Sequence, residues 1–177
     1  MLKPPINNTD HFKGNAKSSV QLLEFGDFQC PHCGAAHPIV KKIEKTFGSG
    51  IVFIFRHFPL SESHPYAQIA AVASEAAARQ GKFWEMFDLI FENQSKLSRE
   101  MLLGLAKSLK LNLKKFQSDL GDPELSEKVE SDFGSGILSG VNGTPSFYIN
   151  NDKYNGPYTY ESLSIALEHA IRAENSH

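Results

Sequence analysis

Val20-Gln21-Leu22-Leu23-Glu24-Phe25-Gly26-Asp27-Phe28-Gln29-Cys30-Pro31-His32-Cys33 passes from strand-like to helix-like patterning and ends on a pair of cysteines. Its first six residues are apolar enough to form a buried strand. After Gly26-Asp27-Phe28-Gln29 an amphipathic run begins, with Ala35, Ala36, Ile39, Val40, Ile43 and Phe47 on helical spacing. The Cys pair therefore lies at a strand-to-helix junction. Cys30 falls in the cap region and Pro31 in the first turn, where a missing N–H costs nothing. These are the only two cysteines in the chain. A structural disulfide gains its effect by tying distant parts of the chain together, whereas two thiols separated by two residues close a very small ring that can reopen. The pair reads as redox chemistry.

At a helix start, unpaired N–H groups and the positive end of the helix dipole stabilise a thiolate, and a protonated His32 adds to this. Cys30 is the candidate nucleophile, tuned by Pro31 and His32. Cys33 lies one turn further in, more enclosed, and suits a resolving thiol. Two other uses of the pair compete. Cys30 and Cys33 could form half of a zinc site with His32 or His37, although structural zinc sites usually bring a second ligand pair and no further Cys exists. They could also be inert core residues, but ordinary packing does not call for this spacing beside Pro and His. His37, His57 and His64 are assigned packing or capping roles and no chemistry.

The 177 residues suffice for one domain, or one domain with an insertion, that folds without a staple. A net charge of −2 with scattered Lys and Arg gives neither a nucleic-acid footprint nor a membrane-surface patch. The longest apolar run, residues 51–55, is far too short to span a bilayer. Residues 1–10 lack the apolar stretch of a secretory signal. Taken literally this places the protein in the cytoplasm, and in the periplasm if a signal has been removed. A monomer is expected.

Residues 1–18 are polar and Pro/Asn-rich and read as an N-terminal arm. Ile51-Val52-Phe53-Ile54-Phe55-Arg56-His57-Phe58 is a second strand, central and buried on both faces, that Pro59 ends. Strand, helix, strand in this order forms a right-handed crossover unit. Residues 61–140 carry only helical signals. Among them Ser98 and Asn112 can cap helices, and Asp122-Pro123 can open one. Strand signals return with Ser146-Phe147-Tyr148-Ile149, a turn at Asn150-Asn151-Asp152, and Lys153-Tyr154-Asn155, followed by a closing helix with Leu163, Leu167 and Ile171. The expected organisation is an arm (1–18), a domain built from 19–60 and 141–173, and a helical insertion (61–140).

Val141-Asn142-Gly143-Thr144-Pro145 precedes that hairpin, and a proline entering a core strand breaks a rule. A trans proline in an ordinary loop is one reading. The other is a cis Thr144-Pro145 bond that presents the backbone of Thr144 to an extended peptide.

Taken together, Glu24-Phe25-Gly26-Asp27-Phe28-Gln29-Cys30-Pro31-His32-Cys33, the helical insertion and Gly143-Thr144-Pro145 resemble a DsbA-like thiol-disulfide oxidoreductase. Arg56-His57-Phe58-Pro59-Leu60 and Gln80-Gly81-Lys82-Phe83-Trp84 resemble its compact bacterial branch, and the similarity runs from about residue 20 to 171. The resemblance implies an α/β thioredoxin fold: a central mixed sheet flanked by helices, with an inserted all-helical subdomain. It implies protein disulfide exchange without a cofactor other than the Cys30–Cys33 disulfide. Protein thiols and disulfides would be the substrates, and a redox partner protein or glutathione would recharge the pair. Residue by residue it puts the nucleophile on Cys30, the resolving thiol on Cys33, the cis-proline on Pro145, substrate contacts on Thr144 and a buried acid on Glu24. A surface glutamate at a strand edge is the bland alternative for Glu24. For the whole chain, the rival is a non-catalytic zinc-binding or peptide-holding module that docks its partner on the helical insertion.

Overall fold

The computed structural model describes residues 1–176. Five strands form one mixed sheet: β1 (His11–Gly14), β2 (Gln21–Gly26), β3 (Val52–His57), β4 (Ser146–Ile149) and β5 (Asp152–Lys153), in the spatial order β1-β3-β2-β4-β5. β2 and β3 run parallel, joined by α1 (Pro31–Phe47), and the other neighbours pair antiparallel. Between β3 and β4 come five helices: α2 (Ala67–Ala78), α3 (Phe83–Glu92), α4 (Arg99–Ser108), α5 (Leu113–Asp119) and α6 (Pro123–Ser139). α7 (Tyr160–Glu174) follows the hairpin.

The near-continuous apolar runs of β2 and β3 follow from burial on both faces. Successive side chains alternate faces. Leu22, Phe53, Phe55 and Phe147 join one cluster with α1, the helices of the insertion and Leu163 and Leu167 of α7. Leu23, Phe25, Val52, Ile54 and Tyr148 join a second with Leu2, Phe58 and Val141, against which Phe133 of α6 packs. α6 approaches that face closely at Gly136, where an added Cβ would lie 2.5 Å from the Phe58 ring. The helix starts follow their sequence signals. Ser98, Asn112 and Asp122 each accept a backbone N–H of the first turn of α4, α5 and α6, from Met101, Lys115 and Glu124.

Residues 1–18 differ from the expected arm. Residues 11–14 supply edge strand β1, paired antiparallel with β3, and Leu2 is buried in the second cluster. Tertiary partners hold this polar segment where its own composition could not. Arg56 is buried and donates through Nε and Nη2 to the two Asp10 carboxylate oxygens (2.7 and 2.8 Å) and through Nη1 and Nη2 to the carbonyls of Pro4 and Pro5 (3.0 and 3.1 Å). The Trp84 indole N–H donates to the Phe12 carbonyl at 2.9 Å.

Removing one partner of a buried ion pair leaves an uncompensated charge. Asp10→Ala is expected to destabilise the protein by about 3–5 kcal/mol, read as a fall in the urea midpoint. A change within the range of ordinary surface substitutions would show that the N-terminal segment is not anchored through Arg56.

Candidate active site

β2 ends at Gly26, and four residues later the chain has turned into α1. Cys30 is the N-cap residue, with extended backbone (φ −68°, ψ 122°), and Pro31 takes the first helical position. Its side chain makes no cap hydrogen bond, so its sulfur stands before N–H groups that have no partner inside the helix. Both cysteines are free thiols. Cys30 is 4% exposed and Cys33 fully buried, so an incoming group meets Cys30 first.

The two thiols are opposites electrostatically. Cys30 is lowered to about 5, chiefly because the Cys33 thiol donates to its sulfur. Burial works against this, while the backbone N–H groups of Cys33 and His32 add to it. The Thr144 hydroxyl also lies close enough to favour the thiolate, although in this conformation it is buried and forms no hydrogen bond of its own. Cys33 is pushed well above the usual thiol value by burial, by the hydrogen bond it gives to Cys30 and by the charges of Glu24 and Cys30. A single N–H, that of Asp27 at 3.4 Å, pulls the other way.

Glu24 lies within β2, 2% exposed, and its Oε1 has no hydrogen-bond partner. Burial first, and the Cys30 charge second, push its carboxyl up to about 8. The surface alternative for this residue does not hold. Across the site the Thr144–Pro145 peptide bond is cis, β4 starts at the next residue, and the Thr144 carbonyl lies 3.5 Å from Cys30 Sγ. His32 is exposed on the rim with Nδ1 3.0 Å from the Tyr158 hydroxyl.

A profile described as Thioredoxin matches residues 6–169. The chain belongs to the thioredoxin family. Its DsbA-like fold is shared with BdbD from Bacillus subtilis, at 24% identity and a TM-score of 0.84 over 95% of this chain and 96% of that one. It is also shared with alpha-DsbA1 from Wolbachia pipientis, at 20% identity and a TM-score of 0.85 over 96% and 94%. A curated relative, the Na(+)/H(+) antiporter NhaA 1 of Salinispora arenicola, is 41% identical over 171 residues, 97% of this chain but 26% of that protein. The chain thus spans about a quarter of the length of the curated relatives it matches. None of its described helices is long and apolar enough to cross a membrane.

The thioredoxin-family architecture brings Glu24, Cys30, Cys33, Thr144 and Pro145 together. It also brings in side chains that the motif did not announce. Asp27 accepts the N–H groups of Gln29 (2.7 Å) and Cys30 (3.2 Å) through Oδ1, and those of Leu60 (2.8 Å) and the His64 ring (2.7 Å) through Oδ2. Gln94, between α3 and α4, donates to the Phe28 and Cys30 carbonyls at 2.9 and 2.8 Å. Asp27 carried a local signal, an Asp two residues before an N–H it can accept. Gln94 and His64 carried none.

The proposed zinc ligands are drawn elsewhere, His32 to Tyr158 and His37 Nε2 to Asp88 at 2.8 Å. Among the described residues one trio has metal-capable atoms within 4.8 Å of one another: His11, His57 and Glu75. Both ring Nε2 atoms meet the same Glu75 oxygen, at 2.8 and 2.7 Å. Burial opposes the Glu75 charge, but these two hydrogen bonds outweigh it and hold the carboxyl well below its usual range. A cation on the Nε2 atoms would move the His57 proton to Nδ1, which is buried with no acceptor. The trio does not fit a metal and serves as a hydrogen-bonded strut joining β1, β3 and α2.

Two opposing pH dependences follow. Cys30 is depressed from 9.0 to about 5, so its contribution to the reduced protein is present above the unfolded value and lost as pH falls through 5. Glu24 is raised from 4.5 to about 8, so its contribution is present at low pH and lost as pH rises through 8. In oxidised protein Cys30 has no proton to exchange, and Glu24 alone remains. Reduced protein is therefore expected to gain stability relative to oxidised protein as pH rises from 5 to 9, followed by paired thermal melts. A gap independent of pH would show that Cys30 is an ordinary thiol.

Proposed function

We propose that this chain exchanges disulfides with protein or peptide substrates through the Cys30-Pro31-His32-Cys33 redox pair. The observation that carries this is the split between two thiols three residues apart: a stabilised thiolate at the helix start and a protonated, more deeply buried thiol one turn in, beside a carboxyl near 8.

In the reducing direction the Cys30 thiolate attacks a substrate disulfide. One S–S bond breaks, a mixed disulfide to Cys30 forms, and one substrate sulfur leaves as thiolate. The Cys33 proton passes to Glu24, whose pKa near 8 lets it accept and return a proton at neutral pH. Cys33 then attacks the Cys30 sulfur, the internal disulfide closes, and the second substrate thiolate departs. The oxidising direction is the reverse, with the two electrons passing from substrate thiols to the disulfide. An extended substrate pairs with the backbone of Thr144 beside Pro145 and Cys30, and a redox partner protein or glutathione resets the pair.

Stabilising the Cys30 thiolate stabilises the reduced form, which makes the couple oxidising. Its potential is expected above the value of about −270 mV for thioredoxin, measured against a glutathione buffer. In a compartment poised at about −220 mV or below, such a pair stays reduced and works as a reductase or isomerase.

Cys33→Ala is expected to accumulate covalent mixed disulfides with reducible substrates and Cys30→Ala none, scored on non-reducing gels and by insulin reduction. If both variants reduced insulin as fast as the parent, the proposal would be wrong. A non-catalytic holding module would instead keep its binding in the double Cys variant.

A further inference from the structure

We propose that His64 is a positioning residue for the nucleophile, acting through Asp27: its ring N–H orients a buried carboxylate that fixes the backbone entering Cys30. This rests on the reading of Cys30 as nucleophile and goes beyond the residues named for that chemistry. The Asp27 side chain is fully buried and its four donors divide evenly. Two are the N–H groups of Gln29 and Cys30, on the last residues before α1. The other two, the Leu60 N–H and His64 Nδ1, come from the segment beyond β3 and reach the opposite oxygen. Asp27 also gives its own N–H to Cys33 Sγ. One residue thus holds the backbone of one cysteine and touches the sulfur of the other.

Cys30 provides no side-chain cap of its own, and its N–H is shared between the Asp27 backbone carbonyl (3.1 Å) and Asp27 Oδ1 (3.2 Å), so the carboxylate adds a second hold on the turn that delivers the sulfur to the helix start. Two donors on each oxygen fix the carboxylate about its Cα–Cβ and Cβ–Cγ bonds, and without His64 the outer oxygen keeps only the Leu60 N–H. His64 is the side-chain member of the outer pair, and with 19% of its side chain exposed it can be replaced without opening the core. Its part is that of a hydrogen-bond donor at a defined place, not of a ring filling space.

Three variants separate those roles. His64→Phe keeps the ring and loses the donor. His64→Asn loses the ring but puts an N–H two bonds beyond Cβ, where Nδ1 stands. His64→Ala loses both. In a fixed glutathione buffer the ratio of reduced to oxidised protein is expected to fall about threefold in the Phe and Ala variants, the loss of one charge-assisted donor, and to return to the parent value in Asn. The alkylation rate of Cys30 at pH 5 should follow the same order. Parent-like ratios in all three, with only the melting temperature lowered, would overturn the inference, as would rescue by Phe in place of Asn. If the parent itself lacked an acidic Cys30, the nucleophile reading would fail first, and that result is read from the unsubstituted protein.

Discussion

The N–H groups in the first turn of α1 have no partners within the helix, and the active site is organised around aiming them at one sulfur. β2 sits at the middle of the sheet between β3 and β4, so its C-terminal end is fixed from both sides. Helix α1 starts where that strand stops. The sulfur at the junction is held as a thiolate, and the one a turn deeper meets burial and its neighbours' charge instead. Two residues of the same type, three positions apart, acquire opposite chemistry from place alone.

That asymmetry has a local cost. Glu24 interrupts the apolar part of β2 and leaves one oxygen without a hydrogen bond, an arrangement that burial disfavours. Gly26 two residues on is what leaves room: a Cβ there would meet the Phe55 ring at 2.5 Å and Glu24 Oε1 at 3.0 Å. The surrounding sheet, buried on both faces, is rigid enough to hold the unsatisfied carboxyl in place. Such a group is poor for stability and well suited to moving a proton at neutral pH.

The segments outside the sheet's parallel core serve the same junction. Gln94, beyond α3, clamps the Phe28 and Cys30 carbonyls, and the stretch after β3 holds Asp27 through Leu60 and His64. The helical residues between β3 and β4 thus share the cores on the two faces of the sheet and also brace the turn that carries the thiols. On the far side the N-terminal segment closes the sheet edge through β1 and the Arg56–Asp10 pair.

What was legible in the sequence was what depends on neighbours along the chain. The buried strand, the helix opened by Pro31, the caps at Ser98, Asn112 and Asp122 and the paired cysteines all follow from spacing, propensity and local hydrogen bonding. So did the place of Cys30 as N-cap residue. What depends on residues far apart was not legible. A polar arm became a sheet edge because Arg56, 46 positions from Asp10, was buried and needed its carboxylate. Asp27 stood in the opening stretch, but nothing near it announced His64, 37 positions away. The state of Glu24 was open for the same reason: a carboxyl's protonation follows the water and charge around it. The chain's own sequence placed these groups in line, and only folding decided which of them met.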